Sequence, residues 1–383
     1  MTILDEQDVE LAFHSEEMPL LAITTPDHAA LIPAALQQQM VRYSDHAIEG
    51  MAPATVRGVK GDWNTYMNWC ATMSQAPLKV IAGNLTQEQQ NRAEDAALRE
   101  LKAFFNNAIT RGLRRSTLDR YLFTIRLAHK AARVPDPTEL PLWKPIWKGL
   151  VKQLAKDGRN LKRPASPLGK DSVSVVVATL AVDADLRDLR DMALLCLASD
   201  TLARRQELAR IRVDEITTEE GAGKLFIPTS KTDQAGHGLR RHVSVATMKH
   251  IERWKTAAGL HDGPLFRSVR YRLDRSVKPA QRIHELGDCQ LSDKEVARIF
   301  KRRMLEAGLD GTRISGHSTR IGSTHNLARL GYSGVQIAQS AGWATEAMVS
   351  YYCRDIFTKD SAMAQARRND PLPEPLDENF IEG

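Results

Sequence analysis

Apolar residues recur every three or four positions through most of the first half of the chain, which is the spacing of one buried face of an α-helix. No stretch there alternates between apolar and polar residues as a half-buried strand would. Residues 41–157 therefore predict a small all-helical domain. The expected helices cover 56–70 behind a cap at Thr55, 98–109, a stretch that starts at Ser116, and 147–155.

The pattern breaks after residue 157. Residues 158–172 contain prolines, glycines and several basic residues without periodicity, which is typical of a linker. Beyond it the pattern predicts a helix over 191–199, short strands at Lys224–Pro228 and His242–Val245 around a turn, and further helices from Asp293 onward. Residues 173–369 thus predict a mainly helical domain with a small antiparallel sheet, and the chain as a whole a mainly α, two-domain clamp.

Charge is distributed unevenly between the ends and the body of the chain. Residues 1–40 contain seven acids and residues 370–383 contain five, and neither segment has a lysine or arginine. Without these two segments, the net charge of +6 becomes +18 for residues 41–369. Such a body attracts a polyanion, because bound phosphates release condensed counterions. A solvated basic surface is the alternative. Residues 1–40 are expected to be weakly structured, and the tail has no assigned role.

Several classes of protein are disfavoured by the composition. The four cysteines match no zinc spacing, and each is expected to be a small buried apolar residue. The histidines form no paired-ligand pattern and no phosphate-binding glycine loop is present, so neither a metal nor another cofactor is expected. No apolar run approaches the roughly 20 residues of a membrane span, and the first residues lack a secretory pattern. We expect an intracellular protein.

Four short motifs carry candidate chemistry. Each is common alone, because an Arg–Glu pair three residues apart is usually a surface ion pair and adjacent tyrosines usually pack. In chain order they are ARRQELARIRV with Arg204 and Glu207, TSKTD with Lys231, SGHSTRIG with His317 and Arg320, and AGWATEAMVSYYCRD with Trp343 and Tyr352.

Together, in this order and at these separations, the motifs resemble the tyrosine recombinases of the phage integrase family, most closely their Cre-like branch. The resemblance covers about residues 50–368, in sequence for the second half and in architecture for the first. It implies a site-specific DNA recombinase whose catalytic set is these seven residues. A type IB topoisomerase, a telomere-resolving enzyme and a catalytically silent DNA-binding protein are the alternatives.

The residue types suit attack on a phosphodiester without metal or ATP. The planar forks of Arg204 and Arg320 would neutralise the charge that develops on the non-bridging oxygens. His317 would hydrogen-bond the phosphate or accept the tyrosine proton, and the sequence leaves both roles open. The resemblance implies that Lys231 protonates the leaving 5′-oxygen and that Glu207 orients the site.

The nucleophile is one of two adjacent tyrosines, Tyr351 and Tyr352. Neighbouring residues of a helix point about 100° apart, so only one of them can face the phosphate. The family's nine-residue spacing from Trp343 selects Tyr352, which implies a 3′-phosphotyrosine intermediate. Tyrosine has a free pKa near 10, and an electropositive pocket would favour its phenolate. Trp343 would pack against the site and donate to a phosphate oxygen.

Further arginines are expected to bind double-stranded DNA. The resemblance assigns a base-reading position to Arg270, where arginine to guanine is the commonest specific contact and a phosphate contact is the alternative. It also lines Gly58 and Arg120 up with base-facing positions. The resemblance also implies that the DNA target is an inverted repeat and that free monomers assemble into a homo-tetramer on paired sites. No membrane partner is expected, and the protein is expected in the cytoplasm, at a prokaryotic nucleoid when bound to DNA. Ser276 to Gln290 is interpreted as a flexible insertion, and 359–368 as a short helix. The expected DNA-binding residues are Arg57, Arg114, Arg115, Arg120, Arg267, Arg270 and Arg272.

Overall fold

The structure is a computed structural model that describes residues 20–21, 23, 25–80, 85–160, 164–228, 238–276, 281–359 and 361–372. Over these residues the chain is mainly helical, with two small antiparallel sheets, which confirms the predicted fold class. It divides into two compact units, Met1–Arg163 and Pro164–Gly383. This boundary falls inside the segment predicted as a linker. None of the helices described is long and apolar enough to cross a bilayer.

The first unit is a bundle of helices whose inner faces carry the predicted periodicity. Its core is rich in aromatic side chains, with Trp63, Tyr66 and Phe105 almost fully buried. The ring of Phe104 meets that of Tyr66 edge-on at 4.9 Å, a favourable geometry for aromatic pairs. The helices are α1 Pro26–Ala30, α2 Ala34–Glu49, α3 Pro53–Thr72, α4 Gln87–Thr110, α5 Arg115–Ala132 and α6 Trp143–Lys156.

The lead-in to this unit is more ordered than the sequence suggested. The expectation of weak structure over 1–40 is wrong for its last part, because α1 and the start of α2 are helical there. Thr25 caps α1 with its side chain, and Met40 of α2 is buried in the core. Apolar side chains therefore fix this stretch despite the acidic composition. Residues 1–19 lie outside the described residues.

Besides α4 and α6, which begin at Gln87 and Trp143 rather than at 98 and 147, two helix starts differ from prediction by a turn or less. Helix α3 begins at Pro53 rather than behind Thr55, because proline is favoured in the first turn, where its missing N–H costs nothing. Helix α5 begins at Arg115, and no side chain caps it, so Ser116 is already inside the helix. Both differences are of one turn or less and leave the predicted buried faces unchanged.

The second unit combines helices with two separate antiparallel sheets, ordered β1–β2–β3 and β4–β5. Its helices before the site are α7 Lys170–Leu180, α8 Leu186–Thr201, α9 Arg205–Arg210, α10 Val245–Ala258 and α11 Asp293–Glu306. Those that carry or follow the later motifs are α12 Ser318–Arg329, α13 Gly334–Ala341, α14 Ala347–Lys359 and α15 Ala362–Asn369. The strands are β1 Ile216–Glu219, β2 Ala222–Ile227, β3 Leu239–Val243, β4 Arg267–Asp274 and β5 Gln281–Gln290.

The hairpin of β4 and β5 corrects the interpretation of residues 276–290 as a flexible insertion. Strand β5 pairs along its length with β4, with Arg270 opposite Glu285 and Arg272 opposite Ile283. The sequence of β5 has no apolar alternation that would have indicated this pairing. Cys289 lies on β5 and is exposed, so it is not the buried apolar residue that was expected of every cysteine.

A buried carboxylate fastens α8 to α11. Asp191 on α8 is fully buried, and its oxygens lie 2.7–2.9 Å from guanidinium nitrogens of Arg190, Arg302 and Arg303. Two further carboxylates, of Asp188 and Glu306, lie 2.6 and 2.8 Å from Arg303. Three acids thus face three arginines. We call this set the Asp191 cluster; its members are Asp188, Arg190, Asp191, Arg302, Arg303 and Glu306.

Close packing fixes the start of α12. A Cβ atom at Gly322 would collide with the backbone of Leu168, so only glycine lets the two segments approach this closely. The backbone N–H of Leu168 donates to the carbonyl of Ser318 at 2.8 Å. The first turn of α12, which carries Arg320, is therefore held on a rigid base.

Candidate active site

The first motif forms a closed pair at the start of α9. Arg204 is the N-cap residue, and its backbone N–H and its Nη1 donate to the two oxygens of the Glu207 carboxylate at 2.7 and 2.8 Å. The Glu207 side chain is only 6% exposed and that of Arg204 17%. The predicted pairing is therefore present, and a buried acceptor fixes the direction of the Arg204 fork.

The third motif places Arg320 in the first turn of α12, where it is 2% exposed. Its Nη1 donates to the carbonyl of Leu202, and its Nη2 to that of Ala341 at 2.6 Å. Leu202 ends α8 with φ +49°, a left-handed conformation that costs a non-glycine residue on the order of 1 kcal/mol. That strained turn supplies one of the two carbonyl partners that hold the Arg320 fork.

Burial and a neighbouring positive charge destabilise the charged form of Arg320. Desolvation, followed by the charge of Arg204, lowers the pKa of Arg320 to about 9. The side chain therefore remains a cation at neutral pH, but one that gains unusually from a nearby anion. This is the electrostatic setting that a phosphate-binding arginine requires.

Arg320, Trp343 and Tyr352 form a row. The Arg320 guanidinium lies over the Trp343 ring, 4.9 Å from its centroid, and the Trp343 and Tyr352 ring centroids are 5.6 Å apart. Tyr351 is the neighbour on the outer side, with its ring 5.2 Å from that of Tyr352. His325 of α12 lies 2.8 Å from the Tyr352 carbonyl through its Nε2, which ties α14 to α12. Sequence reasoning did not single out His325.

The ionisation of Tyr352 is governed by opposing effects. Burial raises the pKa of Tyr352, while Arg320 and Arg204 lower it and Tyr351 raises it further. The arginines act in the expected direction, but in the DNA-free protein burial outweighs them. The phenol is therefore protonated at neutral pH, and the chemistry needs a group that removes this proton.

His317 is the residue that the sequence offers for this role. It is the N-cap residue of α12 and is exposed. Partial desolvation of the ring, together with Arg320 and Arg204, lowers the pKa of His317 below its usual 6.5. The imidazole is accordingly neutral at pH 7 and able to accept a proton.

The chain is similar to known proteins of one family. The profile of the Phage integrase family matches residues 170–358. Residues 170–358 therefore form a domain of the phage integrase family. A xerD homolog described as an integrase/recombinase, from Selenomonas ruminantium, is 26% identical over 324 residues, covering 82% of this chain and 85% of that protein. The recombinase cre of Escherichia phage P1 is 28% identical over 266 residues, covering 67% of this chain and 75% of that protein.

Solved structures of integrases and recombinases resemble the chain more distantly. The Tn1549 transposon integrase in complex with transposon right end DNA has a TM-score of 0.49 at 12% identity, covering 79% of this chain and 98% of that one. XerH bound to its difH substrate has a TM-score of 0.46 at 11% identity, covering 93% and 99%. The family match and the two sequence relatives confirm the resemblance to tyrosine site-specific recombinases.

One residue of the recombinase domain was missed from the sequence. Arg241 lies on β3 in the inward phase of the strand, between Leu239 and Val243, and is only 6% exposed. Its three guanidinium nitrogens have no hydrogen-bond partner among the residues that the structure describes. Burial lowers the pKa of Arg241, Glu207 raises it and Arg204 lowers it. The predicted strand began at His242, one residue after Arg241; the available signal was that Arg241 shares the two-residue spacing of Leu239 and Val243.

The remaining predicted residues of the domain are distributed as follows. Lys231 lies outside the described residues, between the end of β2 and the start of β3. Arg267 donates to the carbonyls of Pro264 and Asp262 at 3.2 and 2.9 Å. Arg270 is exposed, and Arg272 pairs with Glu285 across the hairpin at 2.8 Å. Of these, Arg270 is the one best presented to an external ligand.

The first unit holds the other predicted DNA-binding arginines. Arg57 is exposed on α3, and Arg114 is the half-buried N-cap residue of α5. Arg115 pairs with an acid of its own helix at 2.8 Å. Arg120 is 60% exposed, and its Nε donates at 2.8 Å to the buried carboxylate of Asp62, which raises the pKa of Arg120. Asp62 therefore orients an arginine whose side chain still faces solvent.

Proposed function

We propose that the protein cuts and rejoins double-stranded DNA at inverted-repeat target sites through a covalent 3′-phosphotyrosine at Tyr352. The observation that carries this proposal is the row of Arg320, Trp343 and Tyr352, with ring and guanidinium separations of 4.9 and 5.6 Å. A phenol beside an indole and a buried, carbonyl-held arginine is arranged for attack on a phosphate. Membership of the phage integrase family supports the same reaction class.

In the proposed cleavage, the Tyr352 oxygen forms a bond to the scissile phosphorus as its proton leaves. The bond from phosphorus to the 5′-oxygen breaks, and Lys231 gives that oxygen a proton. Arg204 and Arg320 face the oxygens on which negative charge accumulates, and electrostatic stabilisation of this kind is usually the largest contribution to catalysis. Rejoining is the reverse: a 5′-hydroxyl attacks the phosphotyrosine. Because each step exchanges one phosphodiester for another, the cycle consumes no nucleotide.

His317 is the proposed acceptor of the Tyr352 proton. The phenol is protonated in the DNA-free protein and the imidazole is neutral, so the direction of transfer fits their pKa shifts. Once a proton has moved to the ring, the imidazolium can donate to a phosphate oxygen. The two roles left open by the sequence are then successive states of one residue.

Both units are proposed to grip the DNA. Arg57, Arg120 and Arg270 have exposed side chains on their respective units, and a carboxylate already orients Arg120. We infer further that free monomers assemble into a homo-tetramer on paired sites, as in the family that the motifs resemble. Helix α15 is the proposed docking element, since Met363 on it is 65% exposed. We also propose that the protein acts in the cytoplasm, at a prokaryotic nucleoid.

The covalent intermediate gives the direct test. A suicide substrate nicked next to the cleavage point should trap a protein–DNA complex that survives denaturation. Tyr352→Phe should abolish this complex, whereas Tyr351→Phe, the matched change one residue away, should retain it. A complex that forms equally well with Tyr352→Phe would overturn the assignment.

The target itself can be found with the inactive variant. Sequencing DNA fragments protected by Tyr352→Phe should return an inverted repeat around a short spacer. Wild-type protein should then exchange strands between two copies of that repeat. Efficient relaxation of plasmids that lack any repeat, without strand exchange, would instead indicate a topoisomerase.

A further inference from the structure

Arg241 has a side chain that the proposed cleavage scheme leaves without a role. It is 6% exposed, and none of its three guanidinium nitrogens has a hydrogen-bond partner among the described residues. Buried polar groups are almost always paired, and an isolated buried charge is strongly unfavourable. The fold therefore maintains a cation inside the protein at a cost to stability. A cost of this kind suggests a functional reason.

The position of Arg241 connects it to the reacting groups. A Cβ atom built on Gly342 would lie 2.6 Å from its Nη2, so the guanidinium is packed against the backbone of that glycine. Gly342 stands between Ala341, whose carbonyl holds Arg320, and Trp343, whose ring lies under Arg320. The guanidinium groups of Arg241 and Arg320 therefore contact the same three-residue turn.

The charges of the described part of the site do not balance. Three guanidinium groups, of Arg204, Arg241 and Arg320, accompany the single carboxylate of Glu207. The surplus is two positive charges. A phosphodiester carries one negative charge, and the five-coordinate phosphorane formed by tyrosine attack carries two. Lys231, the proposed general acid, adds a further cation outside the described residues, so the surplus of positive charge favours the doubly charged phosphorane over the singly charged phosphodiester.

We propose that Arg241 is a positioning residue of the recombinase reaction, a third buried cation that acts through the Arg204–Glu207 pair and the Ala341–Trp343 turn to favour the doubly charged phosphorane. Its nitrogens are sealed from solvent, and it acts through its charge and through its contact with the Gly342 backbone. This inference rests on the proposed function, because it needs a phosphorane at the site. It predicts that the importance of Arg241 depends on the charge of the scissile phosphate.

The test compares two suicide substrates, one with the natural phosphate and one with an uncharged methylphosphonate at the scissile position. The measurement is the rate of covalent complex formation. Arg241→Met should slow the reaction about 10- to 100-fold on the phosphate and by less than about threefold on the methylphosphonate, whose phosphorane carries one charge less.

The adjacent residue provides the control. Arg240 lies on the same strand with its side chain exposed, over the ring of Phe226 at 5.6 Å. Arg240→Met removes the same charge from the opposite face of β3, and it should change both rates alike and by less than about threefold. Arg241→Lys keeps the charge and should retain the wild-type ratio of the two rates. If the Met variant does not fold, Arg241→Gln takes its place.

Two results would overturn the inference. Equal losses by Arg241→Met on both substrates would mean that the side chain only supports the fold. If Arg241→Met reacts no more slowly than Arg240→Met on the phosphate substrate, the charge of Arg241 does not contribute to cleavage. Failure of wild-type protein to form any covalent complex would instead remove the proposed function, so the two failures are distinguishable.

Discussion

The second unit contains two groups of arginines, and the groups differ in the number of carboxylates that balance their positive charge. In the Asp191 cluster three arginines face three carboxylates, and the central one, on Asp191, is fully buried. In the active site three arginines accompany Glu207 alone among the described residues. Helix α8 joins the two regions, with Asp191 near its start and Leu202 at its end.

The difference separates two uses of a buried guanidinium. Where every cation has its anion, removing one partner leaves an uncompensated charge, so the cluster contributes to stability through its completeness. Where cations outnumber anions, repulsion between the cations lowers the stability of the folded protein. The unbalanced positive charge can then bind an anionic group of the substrate. Substitutions in the first group should therefore affect unfolding, and substitutions in the second should affect cleavage.

The largest effect is expected from Asp191→Asn. The amide keeps one acceptor oxygen but turns an NH2 group toward guanidinium nitrogens that now lie 2.7–2.9 Å away. We expect the free energy of unfolding to fall by about 3–5 kcal/mol, since a buried pair loses one partner. Urea denaturation measures this loss. The cleavage rate of the remaining folded protein should stay within about threefold of wild type.

Glu306→Gln is the matched control at the rim of the same cluster. Its side chain is 44% exposed, so solvent screens its ion pair and the expected loss is below about 1 kcal/mol. Similar losses for Asp191→Asn and Glu306→Gln would contradict the view that the cluster depends on its buried carboxylate.

Arg320→Lys should have the next largest effect, this time on cleavage. Lysine keeps the charge but loses the fork that donates to the carbonyls of Leu202 and Ala341. We expect the rate of covalent complex formation to fall about 10²- to 10³-fold. The same change in the balanced cluster, Arg303→Lys, should leave the rate of folded protein within about threefold. A comparable loss of cleavage in both variants would remove the distinction between the two groups.

Gly342→Ala tests the contact between the turn and Arg241. Alanine at φ +61° is strained, and its Cβ would lie 2.6 Å from the Arg241 Nη2. Gly259 at the end of α10 has the same φ of +61° with no atom within 4 Å of a Cβ, so Gly259→Ala measures the strain alone. We expect losses of unfolding free energy of about 2 kcal/mol and about 1 kcal/mol respectively. Only Gly342→Ala should slow cleavage.

A double-mutant cycle sharpens this result. In an Arg241→Ala background the Gly342→Ala cost should fall toward that of Gly259→Ala, because the closest atom is gone and only Leu239 Cδ1, at 3.0 Å, still lies near the new Cβ. Strict additivity of the two changes would show that Gly342 and Arg241 are not coupled.

Local patterns were enough for most of the fold and for the paired motifs. Periodicity located α3 to α6, α8 and α11, since each buries one face, whereas α1, α2, α7 and α10 were not predicted. The three-residue spacing of Arg204 and Glu207 gave their pairing directly. The nine-residue spacing from Trp343 to Tyr352 likewise ended in ring contact. These features depend on residues close together in the chain, where helix geometry leaves little choice.

Features built from distant residues could not be read in this way. Asp191 meets Arg302 and Arg303 only because α8 packs on α11, more than 100 residues further along the chain. The pairing of β5 with β4 was missed because β5 carries no apolar alternation, although Val269, Tyr271 and Leu273 alternate with polar residues along β4. Arg241 was overlooked because its meaning depends on strand phase and burial: next to Arg240 in the sequence, it looks like half of a surface basic pair.

The smallest effect concerns protons at the edge of the unbalanced site. The arginines and partial desolvation hold the pKa of His317 below 6.5 in the DNA-free protein, and a bound phosphate should raise it because the anion favours the imidazolium. Binding should therefore take up a proton at pH values between the two pKa values, and DNA affinity should rise as the pH falls through that window. The expected gain is below about tenfold, one pKa unit being worth about 1.4 kcal/mol. Calorimetry of DNA binding at pH 6, in two buffers of different ionisation enthalpy and with Tyr352→Phe to prevent cleavage, measures the proton uptake. The uptake should disappear when His317→Gln is added to this variant. If the full uptake persists, another group takes up the proton.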